Sequence, residues 1–322
     1  MSDHRGLFEH AEGPVRREQH GYCVDDNARL LVVTSRERDQ GSTHLLSRLA
    51  LTFVLGAQHI DGRCRNRMDQ RGRWTDTFGT DDCWGRAVWG LGATAVHHGD
   101  ATIRQRALEG FDCSVRQRSP WRRAMAFAAL GAADVLADDV EHDPARALLV
   151  DTVAAIGKIP GGSWRWPEPR LAYANAAIAE ALIAAGAALD DAAALDRGLT
   201  MLAWLLALET AAGHLSPTGV GGRGPDDIGP MFDQQPIEVA TMADACWRAY
   251  TVTGDPTWWR GVEVAAKWFT GDNDTALPMY DDVSGGGFDG LQPEGVNLNQ
   301  GAESTLALIS TMQRARAFAA SP

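Results

Sequence analysis

The sequence predicts an all-α protein built from helical hairpins, and three observations lead to this class. Apolar residues recur at helical spacing through almost the whole chain, in segments dominated by Ala, Leu, Met and Arg. No comparable set of alternating, β-branched strands appears. The helical segments are also of two alternating kinds, one apolar on most faces and one charged on a single face. Short strand-like fragments such as 163–166 lie between helices, where small hairpins would fit.

Eleven segments have the helical pattern: 26–37, 43–57, 82–97, 101–116, 120–137, 144–157, 171–188, 191–210, 236–252, 256–270 and 301–318. The Ala-rich kind, such as 124–136, is apolar on most faces and is therefore expected to be buried. The charged kind, such as 101–111, is expected to face solvent on one side. We expect six inner helices, surrounded by the amphipathic ones, beginning near residues 26, 82, 120, 171, 236 and 301.

The connections differ in length according to the helix that follows. Connections out of inner helices are short, as at 97–100 and 253–255. Those into inner helices are mostly long: 58–81, 158–170, 211–235 and 271–300. Long loops in a compact domain are usually functional. If the inner helices run parallel, the long loops and the inner-helix N-termini gather at one end, where we expect the active site.

The composition limits the number of domains and the kinds of partner that we expect. The 322 residues carry 30 Lys plus Arg against 42 Asp plus Glu, a formal net charge of -12, which disfavours nucleic acid and anionic membranes as partners. With 45% hydrophobic residues and no break in composition, we expect a single domain over 1–322, with 1–20 as an N-terminal arm near the active end.

The N-terminus lacks a signal-peptide pattern, and no apolar stretch approaches the ~20 residues of a membrane span, so we expect a cytoplasmic protein. Five cysteines without a CxxC pair predict neither a disulfide framework nor a zinc site. We expect no metal and no cofactor.

Acids, amides and guanidinium groups stand at the starts of the predicted inner helices. Two starts carry a pair of aspartates followed by an arginine: Asp25, Asp26 and Arg29, and Asp81, Asp82 and Arg86. The plain alternative is a helix cap, which needs one acid. Each pair supplies one acid more, and the arginine one turn later can hold the second carboxylate. We therefore place Asp25, Asp26 and Asp82 among the candidate catalytic residues. Arg29, Asp81 and Arg86 are candidates for binding substrate.

Two further acids lie in otherwise apolar helical segments. A buried acid without a role is rare, so Glu238 is a candidate catalytic residue and Glu303 a candidate substrate contact. Other polar candidates for binding substrate at this end are Glu9, His20, Tyr22, Tyr173, Asn175, Gln234 and Gln235. Such a rim suits a polyhydroxylated ligand better than a lipid.

Aromatic rings near the same helix starts are candidates for stacking on a sugar, because pyranose faces are apolar and pyranose edges are polar. The candidates are Trp74, Trp84, Trp164 and Trp166. The alternative for any one of these rings is that it packs against the core and anchors its own loop. Tryptophans inside helices, such as Trp204, Trp258 and Trp268, are predicted to pack between helices.

The arrangement resembles the (α/α)6-toroid glycoside hydrolases over almost the whole chain. Closer in sequence, GLFEHA (6–11), HGYCVDDNAR (20–29) and FGTDDCWGRAVWGLG (78–92) look like a bacterial toroid family and are similar to the actinobacterial hydrolases of methylmannose polysaccharide, which are endo-α-mannosidases. The resemblance implies an inverting glycoside hydrolase acting on a mannose- or glucose-type oligosaccharide or polysaccharide. One departure is the absence of a twelfth readable helix, whose gap the arm could cover, bringing Glu9 and His10 to the site.

Glycoside hydrolysis requires one carboxylic acid for the leaving oxygen and one carboxylate for the sugar or water. We expect Glu238 as the acid, since burial raises the pKa of a carboxyl group, and Asp25 as the base, kept ionised by the helix N-terminus and Arg29. Inversion implies a separation of about 6.5–9.5 Å between the two groups. The alternatives are a sugar epimerase or isomerase, which would use histidine bases, and a carbohydrate-binding toroid without catalysis.

Overall fold

The structure is a computed structural model in which residues 1–319 are described. All eleven predicted helices are present: α1 Val24–Arg36, α2 Gln40–Ala57, α3 Asp82–His97, α4 Ala101–Ser114, α5 Arg122–Asp138, α6 Asp143–Ile156, α7 Asn175–Ala188, α8 Ala192–Leu208, α9 Pro236–Thr253, α10 Trp259–Phe269 and α11 Ala302–Ala319. The largest difference is at α7, which begins four residues later than predicted because residues 171–174 are not helical.

Short strands in the described chain form four two-stranded pairs: β1 Ala11–Glu12 with β2 Val15–Arg16, β3 Tyr22–Cys23 with β4 Arg67–Met68, β5 Thr210–Ala211 with β6 His214–Leu215, and β7 Gly290–Gln292 with β8 Gly295–Asn297. The hairpin expected at 163–166 is absent from this segment, so that prediction is wrong. Both of its tryptophans instead donate their indole N–H to the nearby Glu168.

The chain divides into two compact units. The first comprises Met1–Ala11, Arg16–Ala155 and Ala184–Asp191, and the second comprises Glu12–Val15, Ile156–Ile183 and the chain from Ala192 onward. The single domain expected over 1–322 rested on the even composition, and it stays a prediction.

In the first unit, α1 and α3 pack closely and run parallel. A Cβ atom on Gly90 of α3 would lie 2.7 Å from the carbonyl oxygen of Ala28 in α1, so only glycine permits this approach. One turn earlier in both helices, Arg86 bonds to Asp25. Because the paired residue numbers rise together along the two helices, their N-termini lie at the same end.

Helix α5 continues this parallel set. A Cβ atom on Gly85 of α3 would lie 2.2 Å from the carbonyl oxygen of Ala124 in α5, and one on Gly92 would lie 2.6 Å from that of Gly131. The outer helices α2 and α4 pack on α1 and α3 and follow them through short connections. Within this unit the inner helices are therefore parallel, which is the condition for their N-termini to gather at one end. The loop before α3, residues 58–81, is long, whereas the connection before α5, residues 115–121, is short.

In the second unit, buried charges tie α9 to its neighbours. Asp244 of α9 accepts hydrogen bonds from Ser310 and Arg314 of α11, and Arg248 of α9 approaches Glu180 of α7 at 3.6 Å. Helix α9 ends at Gly254, whose φ of 70° is a left-handed conformation that glycine adopts without strain. Buried acids in this unit therefore have a demonstrable role in joining helices.

The buried carboxyl group of Glu209, just after α8, makes stability depend on pH. Its Oε1 accepts hydrogen bonds from the backbone N–H of Thr218 at 2.9 Å and its hydroxyl at 2.6 Å. Burial raises the pKa of Glu209 from 4.5 to about 7, and the Thr218 bonds and Arg223 offset only part of this. The folded protein then holds a proton that the unfolded chain releases, so stability falls as pH rises between these values.

We expect Glu209→Gln to remove this contribution, because the amide oxygen can accept the same bonds and carries no charge. The pKa shift corresponds to about 3 kcal/mol by linkage. Denaturant unfolding of both proteins at about pH 5 and pH 8 measures it, and the wild type should lose more stability than the variant over this range. Parallel pH profiles would contradict the assignment.

Candidate active site

The first acidic pair lies within the first turn of α1. Cys23 occupies the position before the helix, so neither aspartate caps it. Asp26 is buried and accepts hydrogen bonds from Arg29 Nη1 at 2.6 Å and from the Cys23 thiol at 3.1 Å. Asp26 therefore forms a buried ion pair with Arg29. This confirms, for the first pair, the spacing argument that the arginine one turn later holds the second carboxylate. For the second pair the argument is wrong, because Arg86 bonds to Asp25 of α1 and not to Asp82.

Asp25 points to a different set of partners. Its Oδ2 accepts from Asn66 Nδ2 at 2.8 Å, and its Oδ1 accepts from Arg86 Nη1 at 2.9 Å. Asn66 also accepts the backbone N–H of Val24 through its side chain, which fixes the amide at the start of α1. The Asp25 side chain is 15% exposed, compared with 2% for Asp26, so it is the less deeply buried of the two.

The charges around Asp25 keep it ionised. Burial alone would raise the pKa of Asp25, but the guanidinium groups of Arg86 and Arg29 and the hydrogen bonds from Arg86 and Asn66 outweigh it. The net result is a pKa below the usual value for Asp. A carboxylate that is ionised, oriented and partly exposed is suited to act as a base.

Asp82, in the first turn of α3, has the opposite character. Its carboxyl group makes no hydrogen bond within the described residues. Burial raises the pKa of Asp82, and the neighbouring carboxylates Asp25 and Asp81 raise it further, while Arg86 and Arg123 offset part of the effect. The pKa values of these two interacting carboxyl groups are thus displaced in opposite directions. Such a pair is typical of sites in which one carboxyl group acts as an acid and the other as a base.

Asp81 immediately precedes α3, but its side chain does not cap the helix. Its Oδ1 accepts the indole N–H of Trp121 at 3.1 Å. The capping alternative is thus realised at neither Asp25 nor Asp81. Trp121, at the start of α5, was not among the predicted site residues. The start of this inner helix was nevertheless predicted to lie at the same end as the active site.

Glu238, in the first turn of α9, is buried in the second unit. Its carboxylate accepts three bonds, from the backbone N–H groups of Ala174 and Asn175 and from Asn175 Nδ2. All three donors lie at the start of α7, so Glu238 caps that helix from a neighbouring one. N–H donors match an ionised carboxylate. Glu238 as the proton donor stays a prediction, and its contacts give it a structural role as well.

The N-terminal arm lies against the segment that precedes α1. The Glu9 backbone N–H donates to Gly21, and the Glu9 carboxylate pairs with Arg67. The rings of His10 and His20 are 4.9 Å apart and nearly perpendicular. Both histidines are exposed, so the arm brings together two imidazoles and one carboxylate near the start of α1.

Three aromatic candidates for binding substrate are core residues instead. Tyr22, Trp84 and Trp166 are at most 1% exposed. The indole N–H of Trp84 donates to the carbonyl of Ser114, and the Tyr22 hydroxyl donates to Asp3. Rings enclosed in this way offer a sugar no face, so we correct their assignment to packing.

The other two loop tryptophans also anchor their loops. Trp164 and Trp166 both contact Trp204 of α8, with ring centroids 5.0 and 6.1 Å apart. Trp74 lies between Phe53 of α2, at 5.2 Å, and the guanidinium of Arg65, at 5.2 Å. The anchoring alternative therefore describes Trp74 and Trp164 in this structure.

The remaining predicted contacts lie in the second unit. Gln234 is fully buried and bonds to Asp274 and Trp268, so it is a packing residue and not a ligand contact. Asn175 is buried at the start of α7, whereas Tyr173 is 37% exposed and accessible. Gln235 precedes α9 and Glu303 lies in the first turn of α11.

Neither a cluster of metal-binding side chains nor a membrane-spanning helix occurs in the described part of the chain. No group of three or more His, Cys, Asp or Glu side chains in it could hold a metal ion. None of its helices is long and apolar enough to cross a membrane.

The chain matches no family model, and no curated protein matches it in sequence. Its fold is nevertheless similar to solved structures of carbohydrate-processing enzymes. A D-mannose isomerase aligns with a TM-score of 0.69 at 11% identity over 98% of this chain and 93% of that one. Cellobiose 2-epimerase from Spirochaeta thermophila aligns with a TM-score of 0.66 at 14% identity over 98% and 91%.

A GH76 α-mannanase from Bacteroides thetaiotaomicron aligns with a TM-score of 0.63 at 10% identity, over 92% of this chain and 87% of that chain. These likenesses confirm the predicted fold class, the all-α (α/α)6 toroid fold. At such low identity they establish the fold and leave the activity to the chemistry of the site.

Proposed function

We propose that the protein is a glycoside hydrolase that uses Asp25 as its base and acts on a neutral mannose- or glucose-type oligosaccharide or polysaccharide. The observation that carries the proposal is the pair formed by Asp25 and Asp82. The pKa of Asp25 is lowered by Arg86 and Arg29, and that of Asp82 is raised by burial and by the acids beside it. The two carboxyl groups therefore differ in how readily each holds a proton.

In the proposed reaction, Asp25 takes a proton from a water molecule while the water oxygen bonds to the anomeric carbon. The bond from that carbon to the leaving oxygen breaks, and the leaving oxygen receives the proton of the acid. We favour Asp82 as the acid, because no hydrogen-bond donor within the described residues stabilises the ionised form of its carboxyl group. Glu238 is the second candidate for this role. Asp26 acts indirectly, by holding Arg29 near Asp25.

The substrate class rests on two supports. The structural neighbours are named for mannose, cellobiose and mannan, all of them neutral sugars of the manno and gluco series. The motifs at 20–29 and 78–92 resemble those of the methylmannose polysaccharide hydrolases. We therefore propose an inverting, endo-acting α-mannosidase as the most specific form of this function, in the cytoplasm.

The test is to incubate the purified protein with α-mannans, methylated α-mannan, β-mannans and glucans, and to follow the anomeric protons of the products by NMR. We expect cleavage of an α-mannan with the first-formed product in the inverted configuration. Cleavage with retention would make Asp25 a nucleophile. Absence of cleavage of every polysaccharide would remove the hydrolase proposal.

The second candidate function is sugar epimerisation or isomerisation, favoured by the exposed His10 and His20 rings beside Glu9. It predicts exchange of the C2 hydrogen for deuterium when mannose, cellobiose or mannobiose is incubated with the protein in heavy water, with the glycosidic bonds left intact. A carbohydrate-binding toroid without catalysis predicts neither product.

A further inference from the structure

Trp121 is an exposed aromatic side chain that is nevertheless held in place. Trp121 is 59% exposed, whereas Trp84 and Trp166, which were predicted as platforms from the sequence, are enclosed. The ring therefore presents a large, flat apolar face to solvent.

One hydrogen bond holds the indole ring of Trp121, and a second holds the backbone that carries it. The indole N–H donates to Asp81 Oδ1 at 3.1 Å, and the backbone N–H of Trp121 donates to the hydroxyl of Ser119 at 3.1 Å. Pro120 precedes it and restricts the backbone further. The close approach of α3 and α5 at Gly85 and Ala124 sets the two helix starts side by side. The ring is thus preorganised without being buried.

The surroundings combine an apolar face with a polar edge. Asp81 is exposed, and its Oδ2 makes no hydrogen bond within the described residues, so it can accept a bond from a ligand hydroxyl group. Asp81 is bonded in the chain to Asp82, whose pKa it raises. A flat ring beside a free acceptor is the combination that a pyranose requires, since its C–H face is apolar and its hydroxyl edge donates hydrogen bonds.

We propose that Trp121 is a stacking platform for a pyranose ring of the substrate, and that Asp81 positions the platform and accepts a hydroxyl of the same sugar. This rests on the proposed function for the identity of the ligand as a neutral manno- or gluco-oligosaccharide. The platform places that sugar beside Asp82. Trp121 contributes binding and orientation and takes no part in proton transfer.

The experiment measures binding of α-manno-, β-manno- and gluco-oligosaccharides by calorimetry and by tryptophan fluorescence, in protein carrying Asp25→Asn so that no turnover occurs. We expect the best-binding oligosaccharide to lose about tenfold in affinity with Trp121→Ala, because aromatic stacking contributes on this scale. Trp121→Phe keeps a ring without the indole bond and should lose less. The fluorescence change on binding should disappear in both variants.

Two controls separate a platform from a general loss of structure. Trp258→Phe removes a partly exposed indole from the second unit and should leave affinity unchanged. Asp81→Ala frees the ring and removes the acceptor, so it should weaken binding while circular dichroism and the unfolding midpoint stay close to those of the parent.

The outcomes for the two proposals are distinct. Hydrolysis by the wild type together with unchanged affinity in Trp121→Ala overturns the platform and leaves the hydrolase intact. Trp121-dependent binding without hydrolysis supports the platform and removes the hydrolase. Absence of binding of every oligosaccharide, or a Trp121→Ala effect confined to self-association, also overturns the platform.

Discussion

Asp25→Asn is expected to lower kcat about a thousandfold or more on the natural substrate, because the variant has no base to take the proton from water. The effect on KM should be small, since an amide of the same shape remains. The kcat/KM of the wild type should also fall on the acid side only below the ordinary Asp value of 3.8, because the pKa of Asp25 is lowered. Steady-state kinetics across pH measure both.

Asp26→Asn is the matched control, since it makes the same change one residue further along α1. Asp26 is more deeply buried and pairs with Arg29, so Asp26→Asn removes the negative charge of a buried ion pair. Removing one partner of a buried pair costs about 3–5 kcal/mol. We therefore expect Asp26→Asn to be the less stable variant and, when folded, the more active one.

The reverse result would assign the base to Asp26. If Asp25→Asn stays active while folded Asp26→Asn is inactive, the hydrogen bonds from Arg29 and Cys23 would have to be reinterpreted as activating a catalytic carboxylate. Comparing kcat for the folded fraction of each variant, with the fraction measured by thermal unfolding, makes the two cases separable.

Much of the fold could be predicted because it follows from local pattern. The eleven helices follow from helical spacing, and their alternation follows from how many faces of each helix are apolar. Loop lengths placed the inner-helix N-termini at one end on condition that these helices run parallel, and α1, α3 and α5 meet that condition through glycines such as Gly85 and Gly90. These are features that each segment carries by itself.

The site was harder to predict because its contacts join distant segments. The spacing within α1 correctly paired Asp26 with Arg29. It could not show that Arg86 of α3 bonds to Asp25, or that Asn66 from the preceding loop completes that carboxylate's contacts. Both depend on how closely α1 and α3 pack.

Exposure of aromatic rings was unpredictable for the same reason. Trp84 and Trp121 both stand near the start of an inner helix and look equivalent in sequence. Trp84 turns inward to the Ser114 carbonyl, whereas Trp121 turns to Asp81 and remains exposed. Which side a ring takes is decided by the neighbouring helix and not by its own segment.

The choice between Asp82 and Glu238 as the acid turns on what each carboxyl group contacts. Glu238 accepts three N–H donors at the start of α7, which suits a carboxylate with a structural task. Asp82 is surrounded by Asp25 and Asp81, which disfavour its ionised form and raise its pKa. A proton is therefore better retained on Asp82, and the leaving group of the substrate offers a direct way to test this.

Asp82→Asn is expected to lower kcat on oligosaccharides by about a hundredfold or more, and to retain far more activity on a dinitrophenyl glycoside. A dinitrophenolate leaves without being protonated, so cleavage of this substrate needs the catalytic base but not the catalytic acid. The activity of the wild type should fall as pH rises through the raised pKa of Asp82, because the protonated form of Asp82 is the active one. This fall at high pH should be absent when Asp82→Asn acts on the dinitrophenyl glycoside. Asp81→Asn should move the fall to lower pH, since it removes a negative charge that raises the pKa of Asp82.

Glu238→Gln is the matched comparison. Its amide nitrogen faces N–H donors at the start of α7, so we expect a loss of about 1–3 kcal/mol in stability. If Glu238 only caps α7, the folded variant should lose activity equally on both substrates. If instead Glu238→Gln spares the dinitrophenyl glycoside and Asp82→Asn does not, the proton comes from Glu238, as the sequence alone predicted. The ratio of the two kcat values within each variant decides the assignment, because it cancels any difference in the amount of folded protein.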